Sequence, residues 1–162
     1  MAERVDAGEE AGAPDAGPRN KPARSEGVVV ELSHEGGGNQ RLVIRVPGWP
    51  GFDPGQFVML RPHGIYDPLI GRPLALFDVW YEGGEPAGIE VVYLVKGKLT
   101  SWLAEQAIGQ TVEIWGPLGN GFDPQPTDHL VLVAGGIGQT PFPAVASPHF
   151  FVIYCTSDLL IP

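Results

Sequence analysis

From Gly27 onward, short apolar runs alternate with breaks rich in glycine and proline. Val28-Val29-Val30-Glu31-Leu32 reads as a strand, Gly36-Gly37-Gly38-Asn39 as a turn, and Arg41-Leu42-Val43-Ile44-Arg45-Val46 as the return strand of an antiparallel hairpin. A loop over residues 47–55 follows. Gln56 to Arg61 reads as a third strand stopped by Pro62, Pro73 to Tyr81 as a fourth, and Ile89 to Val95 as a fifth. Thr100 to Ile108 has helical spacing, with Thr100 or Ser101 as its cap and Gly109 past its end. Thr111 to Trp115 is a sixth strand, ended by Gly116-Pro117. Six short strands with regular turns and one short helix predict an all-β domain, a six-stranded antiparallel Greek-key barrel.

The pattern then changes in kind. His129-Leu130-Val131-Leu132-Val133-Ala134 is a continuous apolar run, expected of a strand buried on both faces in a parallel sheet, and Gly135-Gly136-Ile137-Gly138 follows at once. This reads as the truncated start of an α/β domain. A parallel neighbour strand needs a crossover of about a dozen residues or more, usually helical. Pro141, Pro143 and Pro148 argue against a regular helix there. The expected organisation is a disordered tail over 1–26, a barrel over 27–122, the start of a second domain over 123–142, and an atypical, poorly ordered segment over 143–162.

Charge narrows the partners. The net charge is −9, a surface that repels nucleic acid and anionic membrane. Four of the ten Lys and Arg fall in residues 1–26, leaving Arg41, Arg45, Arg61, Arg72, Lys96 and Lys98 for the rest. The single cysteine, Cys155, permits no internal disulfide and no cysteine-based metal site. His34, His63, His129 and His149 show no ligand spacing, and no catalytic triad or acid pair can be assembled, so neither a metal site nor a catalytic residue is expected. Without an apolar leader or a spanning run, the expected location is cytoplasmic.

Three stretches remain as candidates for chemistry. In Arg72-Pro73-Leu74-Ala75, the proline biases Arg72 toward an extended backbone and aims a forked cation from a strand start, a geometry suited to phosphate. In Lys96-Gly97-Lys98-Leu99-Thr100, a glycine permits close backbone approach beside a helix start, where free N–H groups attract anions. In Gly135-Gly136-Ile137-Gly138-Gln139-Thr140-Pro141, a glycine loop after a buried strand suits a dinucleotide, although the spacing is not GxGxxG. For the first two, ordinary surface charge and an ordinary capped turn remain open alternatives.

In order, Pro54-Gly55-Gln56-Phe57, Arg72-Pro73-Leu74-Ala75, Tyr93 with Gly97-Lys98-Leu99-Thr100, Gly116 to Phe122, and Gly135 to Pro141 form a set spanning about residues 27–142. This set resembles the ferredoxin reductase-like flavoproteins and, within them, the electron-transfer subunits of dihydroorotate dehydrogenase in pyrimidine biosynthesis. The resemblance implies an FAD-binding barrel followed by an NAD-binding domain. NADH would reduce FAD, and electrons would pass through a 2Fe-2S cluster to a catalytic dihydroorotate dehydrogenase subunit. By the same resemblance, Arg72, Pro73, Leu74 and Ala75 would line the flavin and its phosphates, and Val92, Tyr93 and Leu94 would contact it from the fifth strand. Leu99 and Thr100 would hold the pyrophosphate, with Gly97 a cofactor-binding position beside them, and Gly135, Gly136 and Gly138 would lie on the nicotinamide side. Ala75 stands where the family has Ser or Thr, Leu94 where it often has Arg, and Leu99 where it often has Gly. The cysteine cluster that holds 2Fe-2S in the family is not in this sequence, and NADH oxidation by this polypeptide alone is not expected. A piece of another ferredoxin or flavin reductase, and a barrel without cofactor, stay open as alternatives.

Overall fold

The computed structural model describes residues 21–123 and 130–145. Its strands are β1 (Ala23–Gly36), β2 (Asn39–Arg45), β3 (Phe57–Pro62), β4 (Arg72–Glu82), β5 (Glu85–Leu94) and β6 (Thr111–Leu118). They close into an antiparallel barrel in the order β1-β2-β5-β4-β3-β6, with β6 returning to β1. Alternation drives the closure. Leu74 and Leu76 on β4, Ile89, Val91 and Tyr93 on β5, and Val112 and Ile114 on β6 all turn inward to one buried cluster. The β1–β2 turn is tight because Gly36, Gly37 and Gly38 all take positive φ, which costs glycine nothing. At Gly88 the need is for close approach: a Cβ there would sit 2.0 Å from the Ile44 carbonyl oxygen across the β2–β5 ladder.

The ends of the elements differ from the sequence reading. β1 begins at Ala23, inside the expected tail, because Ala23–Glu26 pairs with Gly116–Glu113. Residues 1–20 of that tail lie outside the described residues. β6 runs past Gly116-Pro117 to Leu118, because a register shift between Phe57 and Met59 lets the ladder pass the proline. The helix, α1, is Lys98–Ala104, earlier and shorter than the expected Thr100 to Ile108. Gly97 is its N-cap, and Thr100 sits inside the first turn. The helix closes through a three-residue, 3₁₀-type bond from the Glu105 N–H to the Trp102 carbonyl at 3.2 Å.

The larger correction concerns Leu130 to Ala134. Instead of a strand buried on both faces, this stretch makes a single isolated bridge at Leu132, and Val131 and Val133 are 61% and 71% exposed. Among the described residues no sheet receives it. A 3₁₀ turn over Gly136–Gln139 and a one-turn helix, α2 (Phe142–Val145), follow. Pro143 is accommodated in α2 because the first turn of a helix has no use for its missing N–H. Pro143–Val145 is therefore helical; the rest of the stretch expected to be poorly ordered, with Cys155, lies outside the described residues.

Candidate functional site

β4 serves two neighbours in succession. Its first residues pair with β3, from Leu60↔Arg72 to Phe57↔Ala75. From Leu76 onward it pairs instead with β5, beginning at Leu76↔Val91. β5 beyond Val91 pairs on its other side with β2, from Arg41↔Val92 to Asn39↔Leu94. The two strands thus part at Leu76 and Val91. Arg72–Ala75 stands on one lip of the resulting slot and Val92–Leu94 on the other, with the facing backbone edges outside any ladder among the described residues. A flat ring with hydrogen-bonding edges suits such a slot, because extended backbone offers alternating donors and acceptors.

The expected site residues sort by exposure. Arg72, Pro73, Leu94 and Gly97 are exposed, and Ala75, Val92 and Thr100 are half-buried. Leu74, Tyr93 and Leu99 are instead core residues, at 8%, 2% and 3% exposure. Their side chains fill the barrel, so what they offer the slot is backbone. Tyr93 retains one unusual feature: its hydroxyl is buried with no hydrogen-bond partner among the described residues, and burial pushes its pKa up to about 12.

The cations divide sharply. Arg41 donates from Nε to Glu90 at 2.9 Å and is also paired with Glu31. Burial alone would lower its pKa, but the two carboxylates hold it above the ordinary value. Arg61 is paired with Glu113, Arg45 reaches Glu82 at 3.8 Å, and Lys98 pairs with Asp67. Arg72 and Lys96 have no acidic partner among the described residues, and both border the slot. In a chain of net charge −9, a cation left unpaired beside an opening favours an anion there.

The turn after β5 is held together by Thr100. The Thr100 hydroxyl accepts from the backbone N–H groups of Gly97 at 2.9 Å and Lys96 at 3.0 Å, and donates to the Gly97 carbonyl at 2.9 Å. It locks the turn and is not free to point at a ligand. With seven residues, α1 is also too short to build up much dipole. The turn's offering is Lys96 and the open space at Gly97, where a Cβ would meet nothing within 4 Å.

The third stretch is brought to the same place. The 3₁₀ turn lies against β5 and α2 against β4. Between them and the barrel is a cleft of about 320 Å³, lined by Asn39, Arg41, Phe77, Val92, Gln139 and Thr140 among others. Gly135 and Gly138 are exposed, and a Cβ at either would meet no atom closer than 4.0 Å, so the chain's own packing does not require glycine there. Phe77 and Arg41 were not singled out from the sequence. A signal for Phe77 existed in the period-two spacing from Ala75, which puts both on the outer face of β4.

Other motif residues prove to be architectural. Gln56 is fully buried; its side chain accepts from the Asp53 N–H at 2.7 Å and donates to the Gly119 carbonyl at 2.8 Å. Its own carbonyl accepts from the Leu76 N–H at 3.0 Å. It clamps two loops at the point where β4 changes neighbours. Among the described residues no cluster of His, Cys, Asp or Glu could hold a metal, and no helix is long and apolar enough to cross a membrane.

Comparison with known proteins bears on the fold. No protein-family model matches the chain. The dihydroorotate dehydrogenase B (NAD(+)) electron transfer subunit of Geobacillus kaustophilus is 37% identical over 120 residues, covering 72% of this chain and 44% of that protein. The corresponding subunit of Desulforamulus reducens is 40% identical over 90 residues, covering 54% of this chain and 33% of that protein. The chain thus spans less than half the length of these relatives. Among solved structures, the ferredoxin reductase in carbazole 1,9a-dioxygenase superposes with a TM-score of 0.71 at 17% identity, covering 86% of this chain and 53% of that one. The Amycolatopsis cytochrome P450 reductase GcoB gives 0.67 at 22% identity, covering 83% and 44%. The chain therefore carries a ferredoxin reductase-like barrel and is similar in sequence to the electron transfer subunits of dihydroorotate dehydrogenase B.

Proposed function

We propose that the chain is the FAD-binding part of an NADH-linked electron-transfer flavoprotein of the dihydroorotate dehydrogenase type, acting with a catalytic dihydroorotate dehydrogenase subunit. The observation that carries this is the parting of β4 from β5 with unpaired Arg72 on the lip. The residues fit the group: backbone edges face a slot wide enough to separate two strands, and Arg72 and Lys96 are free for phosphates. When bound, FAD supplies hydride acceptance and single-electron release; the protein binds and orients it. Arg72, fixed by Pro73 at the strand start, holds the phosphates. The edges at Pro73–Ala75 and Val92–Leu94 orient the ring. Ala75 offers no hydroxyl at the ring, and Leu94 no cation.

In this reading Gly135, Gly136 and Gly138 belong to the nicotinamide side, and the segment over 130–145 reaches the slot but, among the described residues, joins no sheet that would hold a dinucleotide. The polypeptide alone is therefore proposed to bind FAD but not to sustain NADH oxidation. The test is titration with FAD, followed by flavin fluorescence. Arg72→Ala is expected to lose on the order of tenfold to a hundredfold in affinity, the worth of a charge-assisted hydrogen bond to phosphate. Equal affinities for Arg72→Ala and Arg45→Ala would overturn the phosphate role, and rapid bleaching of bound flavin by stoichiometric NADH would overturn the limit on NADH oxidation.

A further inference from the structure

The flavin slot uses one side of the barrel. The three strands β1, β6 and β3 present a second concavity of about 350 Å³, walled by the loop that enters β4. Its floor consists of two cross-strand rows set by register. In the first, Trp115 on β6 lies between Arg24 on β1 and Met59 on β3. In the second, Glu113 lies between Glu26 and Arg61. Leu69 forms the wall and is 58% exposed.

Two features of this floor go beyond ordinary sheet surface. Trp115 is 46% exposed at the base of the concavity, and the Arg24 guanidinium lies over its ring, so the two together present a cationic and aromatic surface beside which a ring can pack. The Arg24 guanidinium stands 5.7 Å from the centre of that indole and has no acidic partner among the described residues. Of the nearby acids, Glu113 is paired with Arg61 at 2.6 Å, and the His63 ring stands 3.5 Å from Glu26 and 3.8 Å from Glu113, each carboxylate keeping acceptor capacity toward the floor. Arg24 therefore keeps a positive field at one end of the floor. At the other end, Arg61 holds Glu113 below the usual carboxylate range, so it remains an ionised acceptor. The floor thus offers an aromatic packing surface, an anion partner at one edge and hydrogen-bond acceptors at the other. The volume is within the range of sites for small molecules, roughly 300–1,000 Å³.

We propose that this concavity is a binding site for a planar heteroaromatic anion whose ring carries an N–H. The ring packs between the Arg24–Trp115 pair and Leu69, its anionic group meets Arg24, and its N–H donates to Glu113 or Glu26. The proposal does not depend on the flavin slot.

Indole-3-carboxylate is a suitable probe, titrated into the full chain by calorimetry with the Trp115 indole N–H followed by NMR. Saturable binding at one site with a Kd at or below about 1 mM is expected for a ligand of that size. Cyclohexanecarboxylate, with the charge but no flat face, is expected to bind at least tenfold more weakly, and 1-methylindole-3-carboxylate, with no N–H, severalfold more weakly. Arg24→Gln should cost tenfold or more with an unchanged melting temperature, since the side chain is exposed. Trp115→Val keeps a strand-forming residue and should abolish binding; if that variant does not fold, Arg24→Gln decides. No saturable binding of indole-3-carboxylate, equal affinity for Arg24→Gln, or equal affinity for cyclohexanecarboxylate would overturn the site.

Discussion

Two stretches of this chain have nearly the same hydrophobic content and opposite fates. Ile89-Glu90-Val91-Val92-Tyr93-Leu94 on β5 buries Ile89 and Val91 completely and Tyr93 to 2% exposure. Leu130-Val131-Leu132-Val133-Ala134 leaves Val131 and Val133 more than half exposed. The first has a ladder with β2 along its whole length and a second with β4 from Ile89 to Val91, and an alternation that sends every second side chain inward. The second has a single bridge and no neighbouring strand among the described residues. Apolar content supplies a driving force only where another surface is present to receive it, and a closed barrel supplies that surface from its own strands.

The widest separation between the regions is expected in stability. Leu76→Ala, at a fully buried position, should cost about 2–5 kcal/mol by denaturant unfolding, while Val131→Ala should fall within about 0.5 kcal/mol of wild type. A cost at Val131 comparable to that at Leu76 would show that residues 130–134 are part of the barrel's cooperative unit.

Glycines give a second contrast. Gly88→Ala drives a Cβ into backbone, which cannot give without parting β2 from β5, and should cost about 1–3 kcal/mol or more. Gly135→Ala meets open space at a φ of −112° and should leave stability unchanged. A loss of nicotinamide binding in Gly135→Ala at constant stability would mark that glycine as kept for a ligand.

The arginines sharpen the comparison within the barrel itself. Arg41→Ala leaves Glu90, whose side chain is 13% exposed, without its partner and should cost about 1–2 kcal/mol. Arg72→Ala should leave stability unchanged and weaken FAD binding. Thermal melts with and without FAD distinguish the two.

The smallest effect lies at high pH. The Tyr93 pKa is raised from its ordinary value of 10.0 to about 12, so folding favours the neutral phenol. That contribution is fully present below pH 10 and is lost as pH rises through about 12, because the unfolded chain ionises first. Tyr93→Phe should flatten the decline in stability over that window. An unchanged decline would show that Tyr93 is not its source.

Most of the barrel was legible because alternation with period two, broken by glycine and proline, is a local signal. What was not legible depends on pairing. That Ala23–Glu26 belongs to β1 follows only from β6 lying beside it. The burial of Gln56 follows only from the backbone groups of Asp53 and Gly119 meeting it from two loops. The candidate site divides in the same way. Arg72 before Pro73 could be picked out as an aimed cation, but that it lacks an acid while Arg41 has two is a fact of register.

The sequence by itself determined the strands, their turns, the scarcity of cations and the residues that could face a phosphate, since each is written within a few neighbouring positions. Only the tertiary structure decided that β4 changes partner at Leu76, that the glycine segment over 135–141 comes to lie against that opening, and that Leu74, Tyr93 and Leu99 turn into the core. The reason is physical: an opening between two strands is defined by which ladders stop, and a ladder is a relation between distant residues that no single stretch of chain contains.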